Sequence, residues 1–238
     1  MWEPIRFFRD GPFYVLGSKK MHGNMKASAK EGKKNRRNFL NSFFFPEAER
    51  RLFFANVAHE DGIVVVNGDP PKDFNRTDAL IMFKKLNTLI ALTFADCPPI
   101  TLTAYTRRNN PIVALVHAGY KPLLQKIAFD TVQKMVAVGA RRRSIQAIIG
   151  PGICRRCYEF GSEAPQVFSA YPEYLREAPV TGKFFIDLPG IIRWQLKSAG
   201  VKKVVDSHIC TYENRNIFSA RRDKKKPIEA GMIVAGIR

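Results

Sequence analysis

The sequence predicts a single domain of the α/β or α+β class with a layered sheet core. Three observations carry that expectation. Short apolar runs of strand character recur between turn signals along most of the chain. Two stretches have helical periodicity with matching start and stop residues. The chain is 238 residues long and 45% hydrophobic with 18 Phe, which supplies a sizeable core. No apolar run approaches the roughly 18 residues needed to span a bilayer.

Taken in order, residues 18–37 are polar and basic and read as a mobile loop or a polar helix. Ile63 to Val66 reads as a buried strand ending in a turn, followed by a loop over Gly68-Asp69-Pro70-Pro71. Thr88 to Phe94 reads as a second buried strand. Ile100 to Tyr105 alternates with period two, as a half-exposed strand does, and Arg107 to Pro111 turns the chain into a strand over Ile112 to Val116. A helix over 122–138 has Pro122 in its first turn, Leu123, Ile127, Val132 and Met135 on one face, and Gly139 to stop it. Ile145 to Ile149 is a strand that runs into Gly150-Pro151-Gly152. Asp187 caps a second helix that ends at Gly200. Val201 to Val205 and Ile228 to Ile237 complete the strands.

Charge is the unusual quantity. Lys and Arg total 39 against 21 Asp and Glu, a net charge of +18. Such an excess points to nucleic acid, to an anionic substrate, or to a generally basic protein. The stretch from Lys19 to Arg37 is strongly basic, and Arg141-Arg142-Arg143, Arg155-Arg156 and Arg221 to Lys226 form shorter runs. Four Cys are too sparse for a disulfide framework, and the first residues lack the apolar core of a secretory signal. A soluble, cytoplasmic protein of a reducing compartment is the expectation.

The chemistry-bearing residues are few. Cys97 lies just past the strand at 88–94, where Pro98 holds its backbone extended. On its own it reads as a buried inert thiol. His117 ends the strand at 112–116. The hairpin between the two turns near residue 108, so Cys97 and His117 face each other at one sheet rim, beside a helix start suited to an anion. His59 precedes the strand at 63–66, and spacing alone does not place it near the pair. His22 falls in the basic stretch and is expected to be exposed, while His208 sits at a strand end. Cys154-Arg155-Arg156-Cys157 is half of a zinc site or a redox pair, with no second C-x-x-C in the chain. The expectation is that these two thiols are not essential to the chemistry.

Together these motifs resemble the YfiH family, also called the laccase-domain or polyphenol oxidase family and now regarded as purine nucleoside phosphorylases. The likeness rests on Ala95-Asp96-Cys97-Pro98-Pro99-Ile100, His117-Ala118-Gly119-Tyr120, Ile149-Gly150-Pro151-Gly152-Ile153 with Cys157-Tyr158-Glu159-Phe160-Gly161, and Cys210-Thr211-Tyr212 with Phe218 to Asp223. Asn35-Arg36, Thr77 to Leu80 and Asp187-Leu188 fit it too. The resemblance implies an α+β fold of layered mixed sheets flanked by helices, in one domain over 1–238. It implies one metal, usually zinc, held by His59, Cys97 and His117. It also implies cleavage of adenosine, inosine and methylthioadenosine with phosphate, and deamination of adenosine. The flanks depart from the family pattern: Val57, Ala58 and Glu60 replace Gln, Val and Gly, and Tyr120-Lys121-Pro122 replaces Trp-Arg-Gly.

Two imidazoles and a thiolate leave a fourth tetrahedral position open, the pattern of catalytic zinc. Copper is the alternative metal at such a set. Lys121, Arg36 and the helix start at 122 are the expected phosphate contacts, and Asp96 or Glu159 the expected proton carriers. Four His in the whole chain cannot furnish a multicopper oxidase. A nucleic-acid-binding module remains the rival from a different class, although no RNP1, KH or helix-turn-helix signature supports it. No membrane partner is expected.

Overall fold

A computed structural model of the chain describes residues 3–8, 11–66, 72–83 and 88–237. In chain order the N-terminal part runs β1 (Ile5–Phe8), β2 (Phe13–Gly17), α1 (Gly32–Phe43), β3 (Leu52–Asn56), β4 (Ile63–Val65), β5 (Lys72–Asn75), β6 (Ala79–Phe83) and β7 (Leu89–Phe94). The centre holds β8 (Pro99–Tyr105), β9 (Pro111–His117), α2 (Tyr120–Leu124), α3 (Ile127–Ala137), β10 (Gln146–Ile149), β11 (Glu159–Phe160) and α4 (Ala164–Val167). β12 (Leu175–Glu177), β13 (Phe184–Ile186), α5 (Leu188–Ser198), β14 (Lys203–Asp206), α6 (Ala220–Asp223) and β15 (Gly231–Ile237) follow.

Among the described residues the strands form two six-stranded sheets, ordered β1-β2-β15-β7-β3-β5 and β14-β10-β8-β9-β6-β4, and a small sheet β11-β13-β12. Both large sheets mix parallel and antiparallel pairs, so the fold is α+β with layered mixed sheets. The layering follows from which faces are apolar. Val15, Phe53, Ile90, Leu92 and Ile233 of the first sheet pack against Leu80, Met82, Val113 and Leu115 of the second. The outer face of the first sheet is covered by Phe39 and Leu40 of α1. The outer face of the second is covered by Ile127, Val132 and Met135 of α3 and by Ile191 and Leu196 of α5.

This sandwich explains several departures from the sequence reading. β8 is buried on both faces, not half-exposed: Thr101 and Thr103 pair with Leu115 and Val113 and share their inward face. β4 is an edge strand of intermediate burial rather than a buried one. The basic stretch is neither wholly loop nor wholly helix, because α1 starts only at Gly32 and continues to Phe43. His22 is buried rather than exposed. Its Nδ1 accepts from the Lys19 amide at 2.8 Å, and its ring meets Phe39 and Phe43 edge-on. The expected helix over 122–138 is two helices, broken at Lys126, whose φ is +61°. Asp187 caps α5 as its sequence suggests, its Oδ1 accepting from the Gly190 amide at 2.9 Å. The turn after Val66 and the Gly68–Pro71 loop lie outside the described residues. No helix among the described residues is long and apolar enough to cross a membrane.

Candidate active site

The hairpin β8–β9 sets the site. Pro99 pairs with His117 across the ladder, and the Ala118 amide donates to the Pro98 carbonyl at 3.1 Å. Cys97 is thereby held beside His117, as the hairpin arithmetic requires. The third side chain arrives by a route that spacing does not reveal. Asp78, fully buried just before β6, accepts from the backbone amides of Ala58, His59 and Glu60 at 3.0–3.1 Å. It also accepts from His117 Nδ1 at 2.6 Å. One carboxylate thus fastens the His59 loop to the end of β9. His59 itself sits in the left-handed region at φ +62°, and its ring stands perpendicular to that of His117 with centroids 4.8 Å apart.

The ligand-type atoms of His59, Cys97 and His117 all lie within 4.8 Å of one another. Because Nδ1 of His117 is engaged by Asp78, Nε2 is the ring nitrogen left for the other two, and a metal binding there would displace its proton. Gly119 supplies the room. A Cβ there would stand 3.1 Å from Cys97 Sγ and 3.3 Å from an atom of each imidazole. Two borderline nitrogens, one soft sulfur and a carboxylate behind one imidazole make a donor set fit for a zinc-like ion.

The electrostatics agree with that chemistry. Burial opposes charge on Cys97, but His117 and His59 beside it outweigh burial and bring the thiol down to about 6. Burial likewise opposes charge on His117, yet Cys97 and Asp78 raise it to about 9. Asp78 is desolvated, but the hydrogen bond from His117 and the amides of Glu60 and Ala58 hold it below the ordinary carboxylate range.

The three side chains lie on the wall of a cleft of about 670 Å³. Phe54, Phe94, Tyr120 and Tyr158 provide aromatic lining, and Lys26 and Arg221 provide cations. Arg221 is oriented before any ligand arrives: its amide donates to Asp96 Oδ2 at 2.7 Å, its guanidinium to the Glu159 carbonyl at 2.7 Å, and it lies over the Tyr158 ring at 5.3 Å. Asp96, another left-handed residue at φ +83°, spends its Oδ1 on the Thr211 hydroxyl at 2.6 Å. Glu159 is paired with Lys183 at 2.6 Å.

The expected phosphate contacts stand elsewhere. Lys121 is exposed on α2 and is not among the residues lining this cleft. Arg36 is buried, donates to the Met25 carbonyl at 2.9 Å and stacks on Phe54, lining a neighbouring cavity. Asp78, Arg221 and Lys26 are what sequence reasoning missed. Asp78 had a signal, an acidic residue just ahead of an all-apolar strand.

Residues 14–238 match the family model described as multi-copper polyphenol oxidoreductase laccase. The chain belongs to this family, the YfiH or laccase-domain family. Among its curated relatives, a purine nucleoside phosphorylase of Clostridium acetobutylicum is 33% identical over 92% of this chain and 89% of its own length. One of Deinococcus radiodurans is 34% identical over 71% of this chain, and an adenosine deaminase named RL5, from an unknown prokaryote, 37% identical over 61%. The chain spans 65% and 56% of those two relatives' lengths. Of solved YfiH-family structures, Bacillus licheniformis YfiH superposes with a TM-score of 0.85 at 24% identity, covering 96% of this chain and 98% of that one. Geobacillus stearothermophilus YlmD gives 0.83 at 24% identity, over 99% of this chain and 100% of its own. The shared fold is the layered one described above.

Proposed function

We propose that this laccase-domain chain is a purine nucleoside phosphorylase that cleaves adenosine, inosine or methylthioadenosine with phosphate, using one metal held by His59, Cys97 and His117. The observation that carries the reading is the convergence of these three side chains on an aromatic cleft that also holds an oriented Arg221. The names of the relatives point the same way. Zinc is the metal favoured by the His₂Cys donor set with one position open, and copper is the alternative.

A bound metal of this kind supplies Lewis acidity and lowers the pKa of a water or oxygen ligand. Everything else falls to the chain. Tyr158, Tyr120 and Phe54 offer flat apolar surface to a purine ring. Arg221 and Lys26 offer charge to phosphate, with Arg221 able to present a planar fork. A phosphate oxygen attacks the ribose C1′ as the bond to the purine nitrogen breaks, and the base leaves with that electron pair. Asp78 keeps the proton of His117 on Nδ1, so that His117 binds through Nε2 and does not act as the acid. Both oxygens of Asp96 are already engaged, which assigns it to positioning Arg221 and Thr211 rather than to proton transfer.

The relative named adenosine deaminase supports a second reading at the same site, water replacing the amine at the purine C6. Incubation with each nucleoside, with and without phosphate, followed by chromatography separates the two. Phosphate-dependent release of free base with a pentose 1-phosphate is expected. Conversion of adenosine to inosine in the absence of phosphate marks the deaminase, and neither product from any nucleoside rejects both.

A further inference from the structure

A second cluster of metal-ligand type lies outside the cleft lining. The sequence offers Cys154-x-x-Cys157 without a matching pair, and the fold supplies one. β10 and β14 are parallel neighbours, with Ile149 opposite Asp206, so the segments leaving their C-terminal ends run side by side. Gly152 forms a β-bridge with Cys210. Cys210-x-x-Glu213 is thereby laid against Cys154-x-x-Cys157, and the sulfurs of the three Cys and a carboxylate oxygen of Glu213 all fall within 4.8 Å of one another. Glu213 Oε1 lies 3.6 Å from Cys157 Sγ and 3.9 Å from Cys154 Sγ.

We propose that Cys154, Cys157, Cys210 and Glu213 form a second metal site, a closed tetrahedral zinc site of structural kind. Zinc–sulfur bonds of about 2.3 Å and zinc–oxygen bonds of about 2.0–2.2 Å put tetrahedral ligands roughly 3.5–3.8 Å apart, so Glu213 already stands near ligand spacing from Cys157 and Cys154, and the 4.8 Å limit on the rest leaves at most about 1 Å of contraction. Three thiolates select a soft or borderline ion over magnesium or calcium. The backbone is already shaped around the sulfurs. The Cys154 amide points at Cys210 Sγ at 3.4 Å, and the Cys157 and Tyr158 amides close a tight turn onto the Cys154 carbonyl. Arg156, bonded to Glu213 at 3.3 Å, offsets part of the negative charge of four anionic ligands. A disulfide between two of the thiols would leave the third thiol and the carboxylate without a purpose.

The ion would staple two segments that shape the cleft. The Ile153 amide donates to the Asp96 carbonyl, and the Thr211 hydroxyl donates to the Asp96 carboxylate. Tyr158 follows Cys157 directly and lines the cleft.

The test uses the full chain carrying Cys97→Ser, so that the cleft contributes no thiolate, purified under reducing conditions, stripped with chelator and titrated with Co(II). The expected result is sulfur-to-cobalt charge-transfer absorption with strong visible bands of tetrahedral cobalt, saturating at one equivalent and bleached by one equivalent of Zn(II). Glu213→Gln, at an exposed position, is expected to weaken Co(II) binding at least about tenfold, and Cys157→Ser to abolish the charge-transfer band. No charge-transfer band in a chain whose circular dichroism shows it folded overturns the site. So does a Cys154–Cys157 disulfide found by mass spectrometry in protein never exposed to oxidant, or unchanged Co(II) affinity in Glu213→Gln. Should Cys157→Ser fail to fold, the parent titration and Glu213→Gln decide. The readout does not depend on what the cleft catalyses.

Discussion

At the scale of single residues, Asp78 does more than either of the imidazoles it serves. It is fully buried, and it holds His117 by its Nδ1 proton and the His59 loop by three amides. Asp78→Asn keeps the volume but removes the charge and lets the His117 tautomer change. The expected outcome is a loss of about 10–100-fold in metal affinity or in kcat/KM, read by metal analysis and steady-state kinetics on folded protein. The thiol of Cys97, brought to about 6 by His117 and His59, yields a second expectation. In chelator-treated protein its alkylation by iodoacetamide should reach half its plateau near pH 6, not near the ordinary thiol value of 9.0. The linked stability terms have opposite signs. Cys97 is depressed on folding, so its contribution is complete above the unfolded thiol value and lost as pH falls toward about 6. His117 is raised, so its contribution is complete below 6.5 and lost as pH rises through about 9. Between those limits the two slopes cancel, and this pair should leave the melting temperature of the metal-free chain flat from pH 7 to about 9. A steady rise or fall attributable to Cys97 or His117 would contradict the pairing.

The elements carry their own expectations. α2 and α3 read as one amphipathic helix by periodicity, and what divides them is Lys126 in the left-handed region. A left-handed non-glycine residue costs roughly 1–2 kcal/mol, and glycine removes most of that while adding its own entropic cost. Lys126→Gly is therefore expected to stabilise the chain by about 0.5–1 kcal/mol, measured by urea denaturation. Destabilisation would show that the Lys126 side chain contributes something its exposed position does not suggest. The cap of α5 is the converse case, and Asp187→Ala should cost about 1 kcal/mol. The C-terminal loops matter more for the cleft. Arg222 donates to the carbonyls of Thr211, Tyr212, Asn214 and Ile217, which fixes the loop ahead of α6 and so the position of Arg221. Arg221→Ala and Lys26→Ala are expected to raise the phosphate concentration needed for half-maximal cleavage by more than tenfold, about one charge-assisted hydrogen bond's worth. Lys121→Ala, at an exposed site, should raise it far less, and the reverse ranking would return the anion to the start of α2.

For the whole molecule the net charge of +18 is the property that the proposed chemistry does not consume. Part of it is spent on ion pairs such as Arg37–Glu49 and Arg76–Glu60, which are exposed and contribute little. Another part gathers around a shallow cavity of about 880 Å³ lined by Arg107, Arg108 and Arg141 to Arg143. Such a surface attracts polyanions without reading sequence. Binding to a single-stranded oligonucleotide should fall steeply between 50 and 200 mM salt, on the order of tenfold or more, and should not change when metal is removed. Salt-resistant, sequence-selective binding would instead promote the nucleic-acid reading over the nucleoside one.

Local chemistry determines a good deal of this fold. The apolar runs at 88–94, 100–105 and 112–116 are strands because nothing else buries them, the strand expected over 228–237 forms from Gly231 onward, and the hairpin turn at 107–111 brings Cys97 to His117 through ladder register alone. The Asp187 cap was legible because an N-cap is a contact between near neighbours in sequence. Only tertiary structure decided the rest. His59 reaches the other two through Asp78, nineteen positions away and on another element, and a buried carboxylate bridging two loops leaves no periodicity to read. Arg36 is an expected phosphate contact by sequence, but the sandwich buries it against Phe54 and its guanidinium donates to the Met25 carbonyl. His22 was drawn inward by Phe39 and Phe43, which belong to the same apolar face of α1. Cys154 and Cys157 look unmatched in sequence because Cys210 and Glu213 lie far along the chain, on the segment that follows the parallel neighbour β14. Short-range preferences are written into each segment, whereas a site assembled across sheets depends on which strands pair, and that is set by the burial of the whole core.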